Sequence, residues 1–461
     1  MYMGTFGGHT CHHGETLIFH VDVNSAFLSW SAVRQLQDDP SSVDLRKIPS
    51  IVGGRKDSRR GVVTAKSIPA KRYGIITGEP VMKALEKCPN LVMVPADFAW
   101  YRECSHNVMT ILRSYAPKVQ QVSIDEAYLD LTGTESIYEH LSTEQSPYPY
   151  CIAEAIKNEI RQTLGFTVNV GISSNKLLAK MASDMEKPNR IHTLFPEEIP
   201  DKMWPLPMGE LHGCGKATTE QLRRLGIRTI GEAARTAPHI LIQALGEKTG
   251  TYIWNKANGI ASSVVRTDHV EAKSYSNETT VAKDITESNY EERMPDILLA
   301  LCDSVARRLH KDDVYGKTIT FQVKTNDFHR HSRQISLADS TRDAGILYNT
   351  VTRIADELLF GNHGLFAKGL GIRLVGVGVS GIDHGQYRQM NLFDLLEDPA
   401  DVSHTAKDVP EIPLGQEQRS QALADMRNLL ENKYGRSVLK RASELKKSSD
   451  QSNLDRLKTK N

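Results

Sequence analysis

The chain has 461 residues, 25% of them charged and 39% hydrophobic, and a formal net charge of +1. Its length calls for three or four domains of about 100–150 residues each, and its composition is that of a globular protein with real cores rather than a disordered or fibrous chain. The near balance of acids and bases excludes binding to nucleic acid through overall charge, so any such contact must come from local patches.

No apolar run approaches ~18 residues, and the N-terminus lacks a charged-then-apolar signal, so neither a membrane span nor export is expected and the location is cytoplasmic. The cysteines (Cys11, Cys88, Cys104, Cys151, Cys214, Cys302) are scattered without a Cys-x-x-Cys pair, which suits reduced thiols. Residues 1–16 read as a flexible Gly-rich terminus in which Cys11, His12 and His13, with His9, could touch a metal.

The first strand-like run, Leu17-Ile18-Phe19-His20-Val21-Asp22-Val23, carries a carboxylate near its end. Asn24 or Ser25 is expected to cap a helix from Ser25 to Gln37, in which Phe27, Leu28, Val33 and Leu36 supply an apolar face and which Asp39-Pro40 ends. Strands at Ile48–Val52 and Gly61–Ala65 precede Lys66-Ser67-Ile68-Pro69-Ala70-Lys71-Arg72-Tyr73-Gly74, a short basic helix closed by glycine. Its Lys66, Lys71 and Arg72 could hold a triphosphate or form an ordinary solvated face. A strand at Leu91–Val94 and a helix from Asp97 to Tyr115 follow.

Ser123-Ile124-Asp125-Glu126-Ala127-Tyr128-Leu129-Asp130 then sets two adjacent carboxylates inside a strand-like run flanked by Val119, Val122 and Leu131. Side chains alternate along a strand, so Asp125 and Glu126 can converge on one point only if a turn or bulge interrupts the pleat. With Asp22 they make three carboxylates at two strand ends, which could hold paired Mg²⁺ ions; read singly, each is a strand-end acid in contact with water. After a helix at Ile152–Leu164 and a strand at Thr167–Val170, the element order suits an antiparallel or mixed sheet with helices on one face. In Gly171–Asn189, Ser173 and Ser174 are expected to cap a helix with Lys176, Lys180 and Lys187 in one stripe and Leu177, Met181 and Met185 broadly opposite. Pro188 disfavours helical geometry at Lys187 and leaves that ammonium at a helix end.

Trp204-Pro205-Leu206-Pro207 reads as a linker into Leu211-His212-Gly213-Cys214-Gly215-Lys216, a helix at Thr219–Leu225 and Gly226, which looks like a helix-hairpin-helix; its glycines would expose backbone N–H groups to a DNA phosphate. A further helical stretch runs from Leu241 to Asn258. Residues 261–272 have no clear pattern. Four strands (273–280, 317–324, 334–337, 370–380) and two helices (294–310, 343–359) follow, with Lys324, His329, Arg330, His331 and Arg333 expected to build one basic face. Beyond about Gly381 the chain is polar, opening with Gln389-Met390-Asn391-Leu392-Phe393 and holding one potential helix at Gln416–Tyr434.

The stretches His20–Phe27, Ser123–Tyr128 and Gly171–Asn189 resemble the motifs of the Y-family, lesion-bypass DNA polymerases related to the DinB and UmuC proteins, and the resemblance covers roughly residues 17 to 393. It implies an α+β multidomain fold: a flexible N-terminus (1–16), a ferredoxin-like palm (17–24 and 97–194), fingers (25–96), a helix-hairpin-helix thumb (195–262), a linker (263–272), an α/β little finger (273–382) and a tail (383–461). It also implies template-directed, low-fidelity synthesis past damaged bases, with two Mg²⁺ ions, for which Mn²⁺ can substitute, on Asp22, Asp125, Glu126 and the Val23 carbonyl. Lys71 and Lys187 would hold the triphosphate. Phe27, five residues after Asp22, falls where the family places a steric gate against ribonucleotides, although an aromatic in an apolar helix is ordinarily core. Gly213, Gly215, Lys216, Arg330 and Arg333 would meet primer–template DNA, and Gln389, Leu392 and Phe393 resemble the peptide that docks on the bacterial sliding clamp. The protein would act as a monomer, on deoxynucleoside triphosphates, without a membrane.

Three departures stand out. Relatives commonly have Arg at the place of Lys71 and Tyr at the place of Ile68, and a lysine cannot grip phosphate bidentately; Asn24 replaces an acid found in many relatives. Two other activities fit parts of the pattern: a non-catalytic scaffold at the clamp, which the intact Asp22, Asp125 and Glu126 argue against, and a two-metal nuclease, since the same ions cut phosphodiesters.

Overall fold

The computed structural model describes residues 15–54, 61–268 and 271–384. Gln389, Leu392 and Phe393, the potential helix at Gln416–Tyr434, and the Cys11, His12, His13 cluster lie outside the described residues. The chain forms two compact units, Met1–His269 and Val270–Asn461, whose boundary falls within the expected 263–272 linker.

In chain order the first unit carries β1 (Ile18–Val23), α1 (Ala26–Asp38), β2 (Ser50–Gly53), β3 (Val63–Lys66), α2 (Ile68–Arg72), α3 (Val81–Lys87), β4 (Val92–Val94), α4 (Phe98–Tyr115), β5 (Lys118–Gln121) and β6 (Glu126–Asp130). These are followed by α5 (Glu135–Tyr138), α6 (Tyr150–Leu164), β7 (Val168–Ser173), α7 (Lys176–Asp184), β8 (Ile191–Thr193), α8 (Lys216–Arg224), α9 (Ile230–Arg235), α10 (Pro238–Leu245) and α11 (Glu247–Ala257). The main sheet runs β5-β6-β1-β7-β8, antiparallel except for the β7–β8 pair. β1 is central and fully buried. Leu17, Phe19, Val21 and Val23 enter a core with Ala127, Leu129 and Leu131 of the β6 side and with residues of α1, α4 and α6; the period of two therefore turns Ile18, His20, Asp22, Glu126 and Tyr128 to the other face.

That other face is not open. The sequence reading put helices on one face only, but α7 packs across β7 and β1 on the opposite one, with Ala179 against Ile18. Gly171 permits this, because a Cβ there would collide with the Ala179 carbonyl oxygen and the Ser183 amide. Two expected caps also differ. α7 is capped by Asn175, whose side chain accepts from the Leu178 amide, while Ser173 lies in β7 and donates to the Leu194 carbonyl. α1 has no side-chain cap; Ser25 adopts a left-handed conformation and the Asn24 side chain is engaged elsewhere.

A smaller sheet, β3-β2-β4, with α2 and α3 around Ile51, Val63, Ala70 and Ile75, forms the region read as fingers. α1, expected in that region, buries Leu28, Trp30 and Val33 in the core of the main sheet and also packs against β2 and β3. The helices α8–α11 share a core with Leu177, Leu178 and Met181 of α7. The single stretch expected at Leu241–Asn258 is two helices, broken at Gly246, where φ is +81°. Residues expected to be patternless tether are partly fixed: Val265 is buried and the Ser262 carbonyl accepts from the Lys176 amide.

The second unit is a four-stranded antiparallel sheet, β11-β10-β12-β9, built from β9 (Ser274–Ile285), β10 (Tyr315–Thr325), β11 (Arg330–Thr341) and β12 (Ile372–Asp383), with α12 (Tyr290–Lys311) and α13 (Ala344–Leu359) packed against it. The expected single basic face does not form. Arg333 is registered opposite Phe321 and His331 opposite Val323, two buried residues, so both belong to the helix-covered side, whereas Lys324 and Arg330 are paired on the open side. Arg330 is further committed to both oxygens of Glu278, at 3.0 and 3.2 Å. All five described cysteines are free and buried.

Candidate active site

β5 and β6 are separated by residues 122–125, with the Val122 and Ser123 amides both donating to the Glu126 carbonyl. This turn is the interruption the pleat required. Glu126 begins β6 directly opposite Asp22 of β1, and the Asp125 carbonyl accepts from the Val23 amide. Asp22 and Glu126 thus stand together by register, and the turn sets the backbone of Asp125 against Val23 at the same end of the central strands.

Lys180, on the close-packed α7, reaches between the acids: its Nζ lies 2.9 Å from Glu126, 3.3 Å from Asp22 and 3.3 Å from Asp184. It is 6% exposed. Lys187, past the end of α7, places its Nζ 2.9 Å from Asp22 and 2.9 Å from Asp184. His20 is wholly buried, hydrogen-bonded through Nδ1 to Ser183 Oγ at 2.8 Å, and its Nε2 faces Glu126 at 3.4 Å. Burial pushes the Asp22 carboxyl up, against the pull of Lys187 and Lys180. The His20 ring and the Lys180 ammonium hold Glu126 below the ordinary carboxylate range. Burial by itself would lower the Lys180 ammonium, but Glu126, Asp22 and Asp184 outweigh it and raise it.

A cavity of about 520 Å³ opens beside this cluster, lined by Asp125, Lys187 and Pro188 from the main sheet side and by Phe27, Lys66, Ile68 and Lys71 among others. Phe27 is half-buried: one face of its ring stacks on Tyr101 at 4.7 Å and 9°, with Phe98 edge-on at 5.9 Å. It is therefore both packing residue and wall. Lys66, Lys71 and Lys187 give the cavity a cationic lining, and burial followed by the like charge of Lys71 lowers the Lys66 ammonium. Arg72, the third cation of that segment, is exposed and does not line it.

Among the described residues no three His, Cys, Asp or Glu side chains form a ready-made metal cage. The donor set nonetheless fits a hard divalent cation: it consists of carboxylate and carbonyl oxygens, and the positive charge between Asp22 and Glu126 is supplied here by lysine ammoniums.

The glycine-rich hairpin precedes α8, with Gly215 in the N-cap position and no side chain capping it. Gly213 has φ +90°, and a Cβ there would press on the Tyr252 hydroxyl. Lys216 is exposed at the helix start. Of the expected site residues, Asp22, Val23, Phe27, Lys71, Asp125, Glu126 and Lys187 come together; Gly213, Gly215 and Lys216 form their own hairpin; Arg330 and Arg333 do not share a face.

Residues 21–184 match the sequence profile of the impB/mucB/samB family, and residues 272–392 match the C-terminal domain of the same family. DNA polymerase IV of Clostridium acetobutylicum is 43% identical over 385 residues, covering 82% of this chain and 90% of that protein. DNA polymerase IV 1 of Bacillus subtilis is 34% identical over 434 residues, covering 94% of each. The chain belongs to the impB/mucB/samB family. Its fold is that of a Y-family DNA polymerase: the solved structure of a chimeric Y-family DNA polymerase, 22% identical, matches 79% of this chain and 99% of its own with a TM-score of 0.63.

Two residues of this family member's site were not singled out from sequence. The sequence pattern sets Lys180 in one stripe with Lys176 and Lys187 and assigns His20 no role. The available signal was the run Ala179-Lys180-Met181-Ala182-Ser183 following Gly171: small residues on either side of a lysine mark a helix lying close on its sheet. Lys180→Met would leave Asp22 and Glu126 facing each other with only Lys187 to compensate. Breaking such a buried network costs about 3 kcal/mol, read by denaturant unfolding in metal-free buffer. Mg²⁺ should then stabilise the variant more than the parent, because its competitor has gone. Equal stability of the two proteins would mean that the ammonium does not neutralise the pair.

Proposed function

We propose that Asp22, Asp125 and Glu126, with the backbone carbonyl of Val23, hold the divalent cations with which this chain adds deoxynucleotides to a primer. The chain is a DNA-directed DNA polymerase of the translesion class, and Y-family polymerases are divalent-metal dependent. An all-oxygen donor set favours two Mg²⁺ ions, with Mn²⁺ as substitute. When bound, the cations activate the primer 3′-hydroxyl and steady the leaving pyrophosphate. The observation that carries this reading is the cavity itself, where Asp125 meets Phe27 and the ammoniums of Lys66, Lys71 and Lys187. Those ammoniums would orient the triphosphate as point charges, a looser grip than an arginine fork. Phe27 would exclude a 2′-hydroxyl by shape.

Residues 17–24 and 97–194 would serve as palm, 25–96 as fingers, 195–262 as thumb and 273–382 as little finger. Gly213, Gly215 and Lys216 would hold a DNA phosphate without reading sequence, and Lys324 with Arg330 would offer a second contact. Gln389, Leu392 and Phe393 would tether the protein to a sliding clamp, raising effective concentration without altering chemistry. It would work as a monomer in the cytoplasm; no described helix is long and apolar enough to cross a membrane.

Primer extension with Mg²⁺ and a labelled primer tests the reading. A longer product is expected on intact and damaged templates. An unchanged primer would point to the scaffold and a shortened one to the nuclease.

A further inference from the structure

Asn24, directly after β1, and Asn169, opposite Asp22 on β7, are buried amides, 7% and 0% exposed. Asn24 Oδ1 accepts from the Asn189 backbone amide at 2.8 Å and from Thr167 Oγ1 at 2.9 Å, and its Nδ2 donates to Asn169 Oδ1 at 3.1 Å. Asn169 Oδ1 also accepts from the Arg190 amide at 3.1 Å, while its Nδ2 donates to the Ser183 carbonyl at 3.0 Å and the Glu186 carbonyl at 2.6 Å. Two side chains therefore fasten backbone groups at 183, 186, 189 and 190 to the end of β1. Lys187 sits within that span and lines the cavity.

The backbone dictates which way both amides face. An N–H at Asn189 requires an oxygen from residue 24, so the nitrogen of Asn24 must face Asn169. Carbonyls at Ser183 and Glu186 require the nitrogen of Asn169, so it must face Asn24 with its oxygen. An ionised acid at position 24 would instead set a second oxygen against Asn169 Oδ1. Turning the Asn169 amide to relieve this would aim its oxygen at two carbonyls and abandon the Arg190 amide. No orientation satisfies every group, and an unsatisfied buried polar group is costly.

We infer that Asn24 and Asn169 act as a matched amide clasp that positions Lys187 for the nucleotide triphosphate, and that this pairing is why the chain carries an amide rather than an acid at position 24. The inference rests on the proposed role of Lys187. Both asparagines are positioning residues: Asn169 lies away from the cavity, and Asn24, although it lines the cavity wall, is uncharged and has its side-chain oxygen and nitrogen engaged by Asn189, Thr167 and Asn169. A disturbed clasp would let the Lys187 segment drift, which weakens nucleotide binding more than it slows chemistry.

Single-nucleotide insertion kinetics on primer–template DNA test this with the parent, Lys187→Ala, Asn24→Asp and the double variant. Asn24→Asp should raise KM for the nucleotide about tenfold and change kcat less than about threefold. Lys187→Ala should raise KM at least as much, and adding Asn24→Asp to it should do little more, because the clasp acts through that lysine. In the free protein, Asn24→Asp should speed hydrogen exchange at the Asn189 and Arg190 amides. An unchanged KM in Lys187→Ala would remove the role of Lys187 and the clasp with it. A raised KM in Lys187→Ala beside an unchanged one in Asn24→Asp would overturn the clasp alone. Multiplying effects in the double variant, or a lower Mg²⁺ requirement in Asn24→Asp, would show position 24 acting directly on the metals. Should Asn24→Asp not fold, Asn24→Ala breaks the same contacts without adding charge and is held to the same outcomes.

Discussion

Asp125→Ala is expected to lower kcat for nucleotide addition on the order of a thousandfold while leaving the protein folded and able to bind primer–template. The carboxylate's loss removes several kcal/mol of charge stabilisation at the reacting phosphate. Its structural role is small: the side chain is half-buried and its hydrogen bond is to Ser123 Oγ, at 2.6 Å, worth about 1 kcal/mol. The contacts proposed for DNA, at the 213–216 hairpin and at Lys324 and Arg330, lie elsewhere in the chain. Glu126→Ala should cost comparable activity but also stability, because Lys180 and His20 both face that carboxylate. Rapid-quench extension, DNA binding and denaturant unfolding on the two variants separate these effects. Near-parental extension by both would sink the metal assignment.

Phe27→Ala should lower the preference for deoxynucleotides over ribonucleotides by at least about tenfold, a loss of ~1.4 kcal/mol in discrimination. Exclusion by shape penalises the wrong sugar without tightening the right one, so deoxynucleotide insertion should fall much less. The ring also stacks on Tyr101 and meets Phe98 and Trp30, so the variant should lose about 2 kcal/mol of stability, below the 3–5 of a fully buried Phe→Ala change. Comparing kcat/KM for dATP and ATP opposite template thymine, in parent and variant at a temperature where both are folded, decides the matter. A ratio that stays within about twofold would leave Phe27 as core alone.

Much of the architecture was readable because local pattern and tertiary demand agree. The apolar run Leu17–Val23 is a central strand because both of its faces are buried. Asp97 and Asp343 cap the helices they precede, with oxygens on the amides of Ala99 and Trp100 and of Ile346. Adjacent acids at 125 and 126 required an interrupted pleat, and the turn at 122–125 supplies it. Gly246 was harder, since α10 and α11 are each helical in pattern and only the left-handed backbone between them shows the break.

By itself, then, the sequence determined the strand that carries Asp22, the turn that brings Asp125 to it, the four-strand, two-helix composition of the second unit and the family to which the chain belongs. Tertiary structure decided which cations stand among the acids and which faces the basic residues occupy. Lys180 and Lys176 look alike in a helical stripe, but Gly171 lets α7 settle on β1, which buries the first and leaves Lys176 toward Gln120. Arg330 and Arg333 are neighbours in sequence, yet an odd separation along a strand sends their side chains to opposite faces. Asn24 was expected to cap a helix; it spends its side chain on Asn169 and Asn189 instead, because those partners lie 145 and 165 residues away in the chain and only the fold brings them within hydrogen-bond reach.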